Sequence, residues 1–89
     1  MIIRELEWDD DNIEHIHRHK VSPVEVEDVC FGLHIGFSGL RHRYVLYGQT
    51  RAGRYLKVVL QRLQGNRFRP ITAFDMTDED KAHYRRRLK

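Results

Sequence analysis

Eighty-nine residues are enough for one small core and no second domain, so residues 1–89 read as a single domain. Apolar residues make up 40% of the chain and charged residues 33%, too apolar for intrinsic disorder and too charged for a membrane-spanning protein. The net charge of +3 is unevenly spread: nine acids and three bases precede Gly32, whereas thirteen bases and four acids follow from Leu33 on.

No apolar run approaches the roughly 20 residues of a membrane span, and the first eight residues do not read as a secretory leader. The single cysteine, Cys30, cannot form an internal disulfide. Together these predict a cytoplasmic address. The basic C-terminal two-thirds suits phosphate contacts or an acidic protein partner, and it is equally the composition of an ordinary solvated exterior.

In chain order, Ile2 to Glu7 alternates as a short strand with Ile2, Arg4 and Leu6 on one side. Asp9 reads as the N-cap of a first helix that runs to Lys20. Asp10 and Asp11 begin it, and His17, Arg18, His19 and Lys20 close it, matching the helix dipole at both ends. Trp8 and Ile13 are spaced as a hydrophobic staple, and Ile13, Ile16 and His17 mark the apolar side. Ser22-Pro23-Val24-Glu25 combines a capping box with proline at the first helical position. Val26, Val29, Cys30 and Leu33 then form one apolar stripe, stopped by Gly32. Strands follow at Ile35–Ser38, Arg43–Gly48, Tyr55–Leu63 and Phe68–Asp75, with a hairpin signal at Gln64-Gly65-Asn66. Pro70 puts the last of them at a sheet edge or leaves it paired on one side only there. Thr77 caps a final helix with Asp78, Glu79 and Asp80 in its first turn and Arg85, Arg86, Arg87 and Lys89 in its last. The order β-α-α-β-β-β-β-α predicts an α+β domain: a small antiparallel sheet of four to five strands with helices packed on one face.

Several chemistries are excluded by what the chain lacks. There is no glycine-rich phosphate loop, no nucleophile elbow and no zinc-protease pattern. His15 and His19 share a helix face at a chelating distance, but no third ligand stands at a matching spacing, so no metal and no cofactor are expected. Histidines there serve the helix end, or exchange a proton in a site. Cys30 lies on an apolar stripe and reads as a core residue. The strands interleave Arg62, Arg67 and Arg69 with Tyr44, Tyr47, Tyr55 and Phe68. Such a surface can pair guanidinium with phosphate while rings stack on bases. It can equally be a core face of rings with arginines solvating its edge.

Glu7-Trp8-Asp9, His19-Lys20-Val21-Ser22 and Gly53-Arg54-Tyr55-Leu56 leading into Val58-Val59 together resemble the BrnT family of type II toxins. Arg67-Phe68-Arg69-Pro70-Ile71-Thr72-Ala73, Thr77 and Tyr84 continue the likeness over nearly the whole chain. The resemblance implies a RelE-like fold and a metal-free ribonuclease that arrests translation. It also implies a BrnA-like ribbon-helix-helix antitoxin as neutralising partner, with DNA engaged only through that antitoxin. Carried over by position, Arg67 and Arg69 would hold phosphate with Arg62 beside them, His19 or Tyr84 would move a proton, and Arg54 would stabilise charge. Three places depart from the family: Lys20 replaces a helix-ending glycine, the first helix is about one residue shorter, and Phe74 replaces an arginine. The loss of that cation raises the alternative of a non-catalytic relative that binds protein or nucleic acid. The sheet edges remain open to pairing, either with a second copy or with a partner's segment.

Overall fold

The computed structural model describes residues 1–88; Lys89, expected in the last helical turn, lies outside the described residues. The elements run β1 (Glu5–Leu6), α1 (Asp10–His17), α2 (Pro23–Phe31), β2 (His34–Ser38), a 3-10 turn (Leu40–His42), β3 (Arg43–Gln49), β4 (Tyr55–Arg62), β5 (Arg67–Asp75) and α3 (Asp78–Leu88). The α+β class and the element order are those expected. The sheet has five strands in the order β1-β5-β4-β3-β2. Its long strands are antiparallel, whereas β1 pairs with β5 in parallel, so the sheet is mixed rather than purely antiparallel. Among the described residues, no helix is long and apolar enough to cross a membrane.

Strand alternation divides the sheet into two faces. Leu46, Leu56, Val58, Leu60, Phe68 and Ala73 point inward to meet Ile16, Val21, Val26, Val29 and Cys30 in one core. Here α1 packs along β5, and α2 over β3 and β4. The third helix corrects the expectation of one covered face. Its Tyr84, His83 and Arg87 meet Tyr55 and Phe37, whose side chains alternate away from the core, so α3 lies on the opposite, outer face.

Local departures from the sequence reading have local causes. Only Glu5 and Leu6 pair as strand, and Ile3 and Leu6 are buried while Ile2 is exposed, because residues 2–4 lack the ladder that would enforce alternation. Along α1, Ile16 alone enters the core; Ile13 and His17 face solvent. Leu33 leaves the stripe because α2 ends at Phe31, and it is 75% exposed. Gly32 is required there for space: a β-carbon on it would sit 2.6 Å from the Asp28 carbonyl oxygen.

The first helix closes at His17, three residues before the expected end, in a Schellman motif. The Val21 amide donates to the Ile16 carbonyl and the Lys20 amide to the His17 carbonyl. That motif needs a left-handed residue, and Lys20 supplies it with φ 59°. A side chain there is strained, so Lys20→Gly is expected to raise stability by about 1 kcal/mol in urea unfolding.

Asn12 joins α1 to the sheet. It is 3% exposed. Its side-chain oxygen accepts from the Asp9 amide, its own amide donates to the Asp9 carboxylate, and its Nδ2 donates to the carbonyls of Glu7 and Pro70 at 3.0 Å each. Pro70 lacks an amide proton on that outer side, so Asn12 satisfies the polar group left on this stretch of the β5 edge. Asn12→Ala removes a helix cap and strands a buried carbonyl; a loss of about 2–4 kcal/mol is expected in urea unfolding, with an unchanged denaturant slope.

Candidate nucleic-acid interface

One transverse row of the outer face places Ile35, Tyr47, Lys57 and Phe74 side by side on four strands. Lys57 Nζ lies 5.5 Å from the centre of the Tyr47 ring and 5.6 Å from that of Phe74, so the ammonium is held between two aromatic rings. The line of rings continues both ways. Toward β2, Phe37 meets Tyr47 edge-on at 5.9 Å, and His83 stacks on Phe37 at 6.0 Å. Toward α1, His19 stands 5.7 Å from Phe74, and His15 stands 5.9 Å from His19. Cations from α3 flank the row: Arg85 at 5.1 Å from the Tyr55 ring, Lys81 at 5.5 Å from the same ring, and Arg87 at 5.2 Å from Phe37.

This arrangement follows from the pleat and from where the helices sit. Aromatic residues suit strands, and a lysine is tolerated mid-strand on a face that α3 only partly covers, because its stem packs while its head stays solvated. Among the described residues, Lys57, Arg85, Arg87 and the three ladder histidines form no ion pair. Half-buried rings alternating with unpaired cations can stack bases and hold phosphates of a single strand.

The six site residues expected from sequence are not gathered here. Only His19 reaches the ladder, at the α1–α2 corner where the Schellman turn ends the helix. Arg54 is occupied: Nε donates to Asp75 at 2.7 Å, Nη1 to the Lys20 carbonyl and to Glu25, and Nη2 to the His19 carbonyl at 3.5 Å. It ties the helix corner to the cap of α2 and the end of β5. Arg67 pairs with Glu5 and Glu7, and Arg69 with the Asp9 carboxylate, so the β5 arginines already carry acidic partners. The Asp9 carboxyl is held below the usual carboxylate range, first by its hydrogen bond from Arg69.

Tyr84 is buried against Tyr55, and desolvation pushes its hydroxyl above the usual phenol range. Its ring anchors α3. Arg62 lies at the far end of the inner face, bonding the Gly65 carbonyl beside a shallow pocket of about 400 Å³ shared with Tyr44 and Phe68. The interleaved rings are thereby split, with Tyr44 and Phe68 inward and Tyr47 and Tyr55 outward. Cys30 is a core thiol, pushed up to about 12 by burial and by the nearby Glu27.

Sequence reasoning passed over Lys57, Phe37, His83, Arg85 and Arg87 as site members. The available signal was Lys57 itself, an isolated cation in the most apolar strand and in alternation with Tyr55. Among the described residues, no group of three metal-ligating side chains converges. No family model matches the chain, and no curated protein matches it.

The Arg54–Asp75 contact makes a pH prediction. Asp75 is held below the usual carboxylate range, chiefly by its hydrogen bond from Arg54. A depressed carboxyl stabilises the fold above its unfolded pKa near ~4, and that contribution is lost as pH falls through the lower folded value. Arg54→Met should therefore be destabilised most above about pH 5, with the gap to wild type narrowing in acid. A residual gap persists because the His19 and Lys20 carbonyls lose their donors at every pH. Urea unfolding of both proteins across this range measures it.

Proposed function

We propose that this chain is a BrnT-like ribonuclease toxin that engages single-stranded RNA across the outer face of its sheet. The observation that carries the reading is the ladder itself: rings from His83 to His15 with Lys57 at its centre and free arginines along its α3 flank. The α+β class leaves room for the fold that the resemblance implies, and Phe74 has a context. At the position where the resemblance expects an arginine stands a ring, and the Lys57 ammonium lies directly beside it, supplying a cation from the neighbouring strand.

In this reading Tyr47 and Phe74 stack bases, and Lys57 between them holds the scissile phosphate. A 2′-hydroxyl attacks phosphorus as His19 takes its proton, the 5′-oxygen leaves with a proton from water, and the imidazolium returns its proton to the hydroxide so formed. The products are a 2′,3′-cyclic phosphate and a 5′-hydroxyl end. Lys57 offsets the negative charge that grows on the phosphate oxygens. The reaction proceeds in the cytoplasm without a metal or cofactor. A BrnA-like antitoxin neutralises the toxin, and DNA is met only through that partner.

A second reading, a non-catalytic binding module on the same fold, is favoured by one specific fact: Arg54, Arg67 and Arg69 are all engaged by the chain's own carboxylates. Growth on induced expression, with RNA integrity read from the same cells, separates the two. Wild type is expected to arrest growth and degrade RNA. Lys57→Ala and His19→Ala should each lower cleavage of a single-stranded RNA by about 100-fold or more while leaving the circular dichroism spectrum unchanged. RNA that is bound in a ladder-dependent way but left intact would assign the chain to the binding-module reading.

A further inference from the structure

The two edges of the sheet are finished differently. At one edge β1 covers the start of β5, Pro70 lacks an amide proton, and Asn12 takes the exposed carbonyl. At the other edge, among the described residues, no strand pairs with the outer side of β2. The Gly39 amide donates to the Arg43 carbonyl, and backbone groups alternate along an antiparallel pair. The polar groups of Ile35 and Phe37 therefore face β3, and those of His34, Gly36 and Ser38 face outward. Among the described residues, none of these outward groups takes part in a turn, cap or side-chain hydrogen bond. The strand His34-Ile35-Gly36-Phe37-Ser38 also lacks the lysine, proline or bulge with which natural edges discourage pairing.

We propose that β2 is the seam of a symmetric dimer, paired antiparallel with the β2 of a second copy of this chain about Gly36. Three features of the edge complement themselves under that two-fold rotation. Ile35 opposes the partner copy's Phe37 on the outer face, and glycine meets glycine at the axis, where no side chain obstructs approach. Leu33 and Leu40, which are 75% and 87% exposed, flank the strand at its two ends. Antiparallel pairing sets the Leu33 of each copy opposite Gly39 of the other, one position from the turn that carries its Leu40. Charge leans the same way: Glu27 and Asp28 line a hollow with Gly32 and Arg51 just before β2, and Arg41 and Arg43 follow its end, so the rotation brings two carboxylates of one copy toward two arginines of the other.

The turn that presents Leu40 is itself strained. Arg41 and His42 are consecutive left-handed residues with φ 58° and 60°, held by Gln61, whose Nε2 donates to the Arg41 carbonyl at 2.9 Å. Such strain persists only where surrounding contacts impose it, and it accompanies functional surfaces. In the dimer the two outer faces become one continuous surface, with the Phe37 ends of both ladders beside the seam.

Light scattering on the purified full chain at about 100 μM, a concentration suited to a one-strand interface, tests the seam. The expected mass is twice 10.7 kDa. Gly36→Pro removes an outward donor and leaves the β2–β3 ladder intact. The site has room, since a β-carbon there meets only Met1 Cε at 3.4 Å and Leu46 side-chain carbons beyond it. That variant should be monomeric with the wild-type circular dichroism spectrum. Should it lose that spectrum, Leu40→Glu decides instead, and it too should be monomeric. Arg41→Glu should raise the dissociation constant about two- to fivefold, and Glu27→Arg added to it should restore it. A monomeric wild type, or a dimer that survives both Gly36→Pro and Leu40→Glu, overturns the proposal.

Discussion

The seating of α1 on the β5 edge, fastened by the Asn12 side chain, is the constraint on which the rest of this molecule depends. A sheet strand that ends in open backbone must satisfy its carbonyls, and Pro70 cannot continue the ladder outward. Asn12 resolves this by donating to Pro70 and Glu7 while it caps its own helix. Once α1 lies there, its C-terminal turn falls beside the end of β5. His19 then stands against Phe74, and the His19 and Lys20 carbonyls come within reach of Arg54.

The fold also redistributes charge. Along the sequence, acids gather in the first third and bases in the remainder. In space, Glu5, Glu7 and Asp9 return to Arg67 and Arg69, and Glu25 to Arg54. These pairs are partly exposed, so each contributes little stability individually. Their larger consequence is to take the β5 arginines out of competition for an external anion. Among the described residues, Lys57 on the sheet and Arg85 and Arg87 of α3 are cations that form no ion pair and that share the outer face. A polyanion approaching that face meets these cations beside exposed edges of the rings.

That outer face gains a second property from the placement of α3. By crossing it only in part, the helix covers Tyr55 and Phe37 with cations and leaves the Tyr47–Lys57–Phe74 row beside them. Tyr84 is what holds the helix down, through its ring against Tyr55. The same residue that the family resemblance offers for proton transfer thus serves the packing of α3, and partial desolvation holds its hydroxyl above the usual phenol range.

The local code of the chain was legible without coordinates. Asp9 and Ser22 cap their helices as read, because a capping box is a contact between residues three apart and needs nothing distant. The four long strands, the one-sided pairing at Pro70 and the core role of Cys30 were legible for the same reason: alternation, a missing amide proton and an apolar stripe are local facts. The site was not. Lys57 and Phe74 are seventeen positions apart and meet only through the β4–β5 register. Arg69 and Asp9 are sixty apart and meet because α1 turns back on the sheet edge. Sequence determined which segments would be helix or strand and which side chains could bear charge. Only the tertiary structure decided which charges neutralise one another, which face α3 would take and which edge would stay open, because those outcomes depend on contacts between residues that the chain itself keeps far apart.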